Sequence, residues 1–172
     1  ITDKEFMRSD IQLLKSVQAE IHQEDIFRAF SGAKLMLGAK KLVKDLQSNG
    51  VYVAIVSAGV DLFVSSIASI LGADDWIANG FEFDEDGWLA QDGIVRLGAW
   101  DKGDIIQKML KQIDCDPEDL VSVGDSVMDL SMHIEGSRFI GFNPTRETAI
   151  EGFEKAGVDV VLGKNLDHLR PY

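Results

Sequence analysis

Over the first fifty residues, apolar positions recur at three- and four-residue steps, the period of helices with one buried face. Ile11, Leu14, Val17 and Ile21 form one stripe, and Ile26, Phe27 and Phe30 resume it after the polar Gln23-Glu24-Asp25. Gly32 interrupts the pattern, because glycine in a helix is costly. Leu42, Val43 and Leu46 then supply a third stripe, which Asn49-Gly50 closes in the manner of a C-terminal cap. At residue 51 the period changes. Val51–Val56 is an unbroken apolar run rich in β-branched residues, which predicts a strand covered on both faces by helices. Ser57-Ala58-Gly59 should end it, and Phe63, Val64, Ile67, Ile70 and Leu71 should face inward from a helix that stops at Gly72.

The pattern then turns to a hairpin, with Ile77–Phe83 and Trp88-Leu89 flanking Asp84-Glu85-Asp86-Gly87. A helix follows over Lys102–Gln112, a short buried strand over Leu120–Val123, a helix from Asp129 to Glu135, and a strand over Arg138–Phe142. A helix from Thr145 to Ala156, a strand over Val158–Leu162 and an exposed tail complete the chain. From residue 51 onward this order is that of a layered α/β domain. The helical start breaks the alternation, so residues 1–36 read as a small helical cap and residues 37–172 as the α/β core.

Composition narrows the classes. At 172 residues and 45% apolar, the chain suits one ordinary domain with a small appendage. No apolar run approaches the roughly 20 residues needed to span a bilayer. No basic stretch followed by an apolar core opens the sequence, so a cytoplasmic protein is expected. The single cysteine, Cys115, excludes an internal disulfide and a multi-thiol metal site. A net charge of −12 argues against nucleic acid or an anionic membrane as the partner. It also means that any phosphate site needs local positive charge set against an acidic whole.

Three places carry candidate chemistry. Gly124-Asp125 follows a predicted strand, with Asp129 four positions later, and two carboxylates there suit a hard divalent cation such as Mg2+. Equally, Asp125 or Ser126 could cap the next helix while Asp129 favours its positive end. Ser57, at the turn between strand and helix, is either an anion seat together with the neighbouring backbone N–H groups or an ordinary helix cap. Lys102 opens a helix, where its charge opposes the helix dipole unless it faces an anion or a carboxylate, with Asp101 and Asp104 as ordinary surface partners. An anion seat, a fixed positive charge and a hard-metal site in this order describe phosphoryl transfer, in which positioning and charge neutralisation do most of the catalysis.

The strings Ile55-Val56-Ser57-Ala58-Gly59-Val60-Asp61, Asp101-Lys102-Gly103 and Val123-Gly124-Asp125-Ser126-Val127-Met128-Asp129-Leu130-Ser131-Met132 resemble the haloacid dehalogenase superfamily of phosphohydrolases, and within it the phosphoserine phosphatase group. The resemblance implies a doubly wound, Rossmann-like parallel sheet with a helical cap and a β-hairpin flap. It implies a Mg2+-dependent phosphatase that hydrolyses a small phosphorylated metabolite, phosphoserine among the candidates, through an aspartyl-phosphate intermediate. In it, Ser57 and the Ala58 N–H would bind phosphate, Lys102 would neutralise phosphate and nucleophile, Asp125 would bind Mg2+ and Asp129 would support the metal site. The family's Asp-x-Asp-x-Thr string, which carries the nucleophile, is not found, and Asp84-Glu85-Asp86 sits in a hairpin rather than after a buried strand. The expectation is a nucleophile on further N-terminal residues. The alternative is a phosphate-binding or regulatory module without a nucleophile. Met128 stands where the phosphatases carry Asn, and the cap arginine of the family falls near Gly32, flanked by Arg28 and Lys34. Oligomeric state is not legible in the pattern.

Overall fold

The computed structural model describes residues 1–172. The elements are α1 (Asp3–Val17), α2 (Gln23–Phe30), α3 (Ala39–Ser48), β1 (Ala54–Val60), α4 (Asp61–Leu71), β2 (Asp75–Phe83), β3 (Leu89–Ile94), α5 (Lys102–Ile113), β4 (Val121–Gly124), β5 (Arg138–Phe142), α6 (Glu147–Ala156) and β6 (Asp159–Val161). The chain divides into two compact units, Ile1–Leu35 with Ala39–Gly98, and Met36–Gly38 with Ala99–Tyr172. The architecture is the α/β one that the pattern predicts and the Rossmann-like one that the resemblance implies. No helix is long and apolar enough to cross a membrane.

In the first unit the sheet order is β1-β2-β3, with β1 parallel and β3 antiparallel to β2. The hairpin between β2 and β3 closes as expected: Gly87 adopts φ 87° and Asp84 Oδ1 accepts the N–H groups of Asp86 and Trp88. The Asp84 carboxylate is therefore spent on the turn. Ile11, Ile21, Ile26 and Leu89 form the buried centre under α1, α2 and the hairpin, joined by Met7, Phe30, Leu62 and Phe81. The first stripe ends earlier than expected. Helix α1 stops at Val17, which is 87% exposed, and Ile21 reaches the core from the connection instead.

The second unit holds the parallel sheet β4-β5-β6. Phe153 of α6 fills the space beside Gly141 of β5, where a Cβ would lie 2.4 Å from the ring. Strand β4 is not the fully buried strand expected. It is an edge strand, so alternation leaves Val121 and Val123 46% and 40% exposed, while Ser122 turns inward and donates to the Met132 carbonyl. Nor is the C-terminus merely a tail. Leu166 and Leu169, on a short 3-10 helix, pack on Ile140, Phe142 and Val161, and Leu166 N–H donates to Leu37 O at 2.9 Å.

Candidate active site

Lys102 is the first residue of α5 and only 7% exposed. Its ammonium forms an ion pair with Asp129 Oδ1, and its backbone N–H donates to Ser131 Oγ at 3.2 Å. The other Asp129 oxygen, Oδ2, accepts three hydrogen bonds: from the N–H of Asp125 at 3.1 Å, and from the N–H and hydroxyl of Ser126 at 3.0 Å each. A buried ammonium at a helix N-terminus is unfavourable both by desolvation and by the dipole, and Asp129 offsets both. Burial alone would raise the Asp129 carboxyl, but Lys102 and Ser126 together outweigh it and hold the group below its ordinary value of 3.8. Gly124 makes this approach possible, because a Cβ there would lie 2.3 Å from the Cβ of Asp129.

Asp125 differs from its neighbour. It stands at the end of β4, exposed, with its carboxylate engaged by no group of the protein. The bland reading of the pair thus separates: Asp129 buttresses the turn in a capping-box arrangement, while Asp125 is left with free oxygen donors. Carboxylate oxygen suits a hard cation. No three acidic, His or Cys side chains cluster tightly enough to hold a metal by themselves, so Asp125 fits as one ligand of such an ion, not the whole set. Beside it, Met36, Val123, Phe142, Asn143 and Leu166 line an open cavity of about 360 Å³. This is where open α/β sheets take ligands, past the carboxyl ends of parallel strands. A larger groove of about 420 Å³, by Leu110, Cys115, Pro117 and Ile134, contains none of the predicted site residues.

Ser57 and Ala58 belong to the first unit. Ser57 does not follow the strand as expected but lies within β1, which starts three residues late and runs on to Val60. Pairing with β2 explains the shift. Ser57 stands opposite Ala78 and Val60 opposite Asn79, so Ala58 and Gly59 are extra residues forming a bulge. Ser57 is not a helix cap either, since Val60 occupies that position and makes no side-chain capping bond. Ser57 Oγ instead accepts the Gly59 N–H at 3.0 Å, which leaves its own O–H without an acceptor in the protein.

The structure therefore unites Lys102, Asp125 and Asp129 in one cluster and sets Ser57 and Ala58 on a bulge in the other unit. Of the two caps the sequence offered, Ser126 rather than Asp125 takes the position, in a capping box with Asp129, whereas Ser131, which the sequence did not single out, is joined only by packing.

Residues 3–133 match the family model of the haloacid dehalogenase-like hydrolases. The chain is 32% identical to a phosphoserine phosphatase of Archaeoglobus fulgidus, over 81% of this chain and 40% of that protein. It is 33% identical to a phosphoserine phosphatase of Methanocaldococcus jannaschii, over 79% of this chain and 63% of that one. The chain thus spans less than two thirds of the length of these curated relatives. Among solved structures, a phospho-aspartyl intermediate analogue of phosphoserine phosphatase superposes with a TM-score of 0.84 at 29% identity, covering 100% of this chain and 78% of that one. A substrate-bound phosphoserine phosphatase complex superposes with a TM-score of 0.85 at 28% identity, over 100% and 78% of the two chains.

Proposed function

Because this chain belongs to the haloacid dehalogenase-like hydrolases, we propose that the protein is a cytoplasmic, Mg2+-dependent phosphatase acting on a small phosphate monoester, with phosphoserine the first substrate to test. The observation that carries the reading is the buried Lys102–Asp129 pair beside an uncommitted Asp125 at the carboxyl end of a parallel strand. Lysines are seldom buried, and this one is held almost out of solvent at a helix start, paired with a carboxylate.

In this reading the P–O bond to the leaving alcohol breaks as a carboxylate oxygen bonds to phosphorus, the alcohol takes a proton, and water then hydrolyses the acyl phosphate. The attacking carboxylate is not one that residues 1–172 place beside Asp125, and the free edge of β4 is where a further parallel strand could carry it. Lys102 offsets the negative charge of phosphate and nucleophile, which would otherwise repel each other. The unspent O–H of Ser57 and the Ala58 N–H are suited to donate to phosphate oxygens. Asp129 fixes the Lys102 side chain through the ion pair and holds the backbone that presents Asp125. Asp125 would be one ligand of Mg2+, which when bound would supply positive charge to offset that of the phosphate. Residues 1–36 serve as the cap that selects the ester, with Phe6 and Phe27 exposed there and Met7 and Phe30 committed to its core.

The test is phosphate release by the intact protein from phosphoserine and from an aryl phosphate, with and without MgCl2. Asp125→Asn should lower Mg2+-dependent turnover by at least about 10²-fold with an unchanged melting temperature. Equal turnover in the variant removes the metal assignment. Binding of inorganic phosphate without turnover of either ester replaces the enzyme by the binding module.

A further inference from the structure

Asn79 is a polar side chain only 4% exposed, and all of its hydrogen-bonding capacity is used on the backbone around the β1 bulge. Its Nδ2 donates to the carbonyls of Ala58 at 3.3 Å and Leu97 at 3.0 Å. Its Oδ1 accepts the N–H groups of Arg96 at 2.7 Å and Leu97 at 3.0 Å. Two carbonyls on one side and two N–H groups on the other fix the amide orientation, and among side chains of this length only Asn offers both functions. A second layer steadies the same place. Arg96 Nη1 donates to Asp61 Oδ2 and to the Ala78 carbonyl, both at 2.9 Å, and Asp61 Oδ1 accepts the Leu62 N–H at the start of α4. Gly80 leaves the room for that ion pair, since a Cβ there would lie 2.2 Å from Asp61 Oδ2.

The bond to Ala58 matters because of what shares its peptide plane. The Ala58 carbonyl and the Gly59 N–H belong to one rigid peptide unit. Asn79 holds the carbonyl end, and the N–H end donates to Ser57 Oγ at 3.0 Å. We propose that Asn79 is a positioning residue for the phosphate seat: through the Ala58–Gly59 peptide it fixes Ser57 Oγ as an acceptor, so that the Ser57 hydroxyl proton is aimed outward to donate to a phosphate oxygen. This rests on the reading of Ser57 as a phosphate donor. Bonds in such a chain also polarise one another, so the Asn79 contact strengthens the O–H as a donor.

A double-mutant cycle on the intact protein tests this, with inorganic phosphate in MgCl2 as the probe and its dissociation constant as the readout. Ser57→Ala should weaken phosphate binding about tenfold, the worth of one hydrogen bond to a charged group. No effect of Ser57→Ala overturns the underlying reading rather than the role of Asn79. Asn79→Asp keeps Oδ1 and loses the donors to Ala58 and Leu97, of which only the first reaches Ser57, and should weaken binding by a similar factor. In the Ser57→Ala background it should then add less than about twofold, because both changes act through one hydroxyl. Full additivity, or no effect of Asn79→Asp where Ser57→Ala has one, overturns the proposal. Should Asn79→Asp not fold, the wild-type protein still decides: on phosphate titration, the NMR signals of the Asn79 side-chain amide and the Gly59 N–H should shift together with one saturation curve. A stationary Asn79 signal while Gly59 shifts refutes the link.

Discussion

Asp129 carries a negative charge into a place almost closed to solvent, and every interaction it makes there is charge-assisted or to a backbone donor. Its carboxyl is therefore more acidic in the folded state than in the unfolded chain. The stabilisation this represents is fully present above the ordinary value of 3.8 and is lost as pH falls through the lower folded value, where Lys102 loses its partner. Wild-type protein should lose stability steeply below about pH 4 in urea titrations. Asp129→Asn should cost about 3–5 kcal/mol at neutral pH, because it strands a buried ammonium, and should flatten that acid limb. A variant with wild-type stability and an unchanged limb would show that the pair is not a structural cornerstone. Asp125, one turn away and unengaged, should tolerate Asn in the same assay.

At the scale of elements, the cluster depends on how closely α5 approaches the 3-10 helix Val127–Met132. Gly103 sets that distance. A Cβ at position 103 would lie 2.7 Å from the Ser131 carbonyl oxygen, a backbone atom that cannot swing aside. Alanine is the better helix former by about 1 kcal/mol, so local propensity predicts that Gly103→Ala stabilises. Overpacking against backbone costs roughly 1–3 kcal/mol, so the structure predicts net destabilisation in a urea melt, together with a weakened Lys102 N–H bond to Ser131 Oγ. A more stable variant would mean that α5 shifts freely. Elements whose signals are local were legible at nearly their true bounds: α5 from its period, α6 up to Gly157 at φ 66°, and β5 from its apolar run. The bounds of β1 were not, because a strand extends as far as its partner pairs with it, and β2 continues to pair beyond Ser57.

For the molecule as a whole, charge sets a further expectation. With a net charge of −12 over these residues, an anionic ester is repelled at long range even though Lys102 attracts it at contact. Salt screens exposed charges and spares buried pairs, so kcat/KM for a phosphate ester should rise as NaCl goes from about 10 to about 150 mM. A fall instead would place an exposed basic funnel on the path to the site. Residue type and order along the chain were enough to predict an α/β architecture and the hairpin, and to single out Ser57, Lys102, Asp125 and Asp129 as candidate positions for chemistry, because periodicity and turn chemistry are written in neighbouring residues. Tertiary structure alone decided which carboxylate is spent and which is free, that the tail carrying Leu166 belongs to a core, and that Ser57 sits on a bulge tied to Asn79. Those outcomes depend on donors and acceptors brought together from distant parts of the chain, and a buried polar group takes whichever partner packing places within reach.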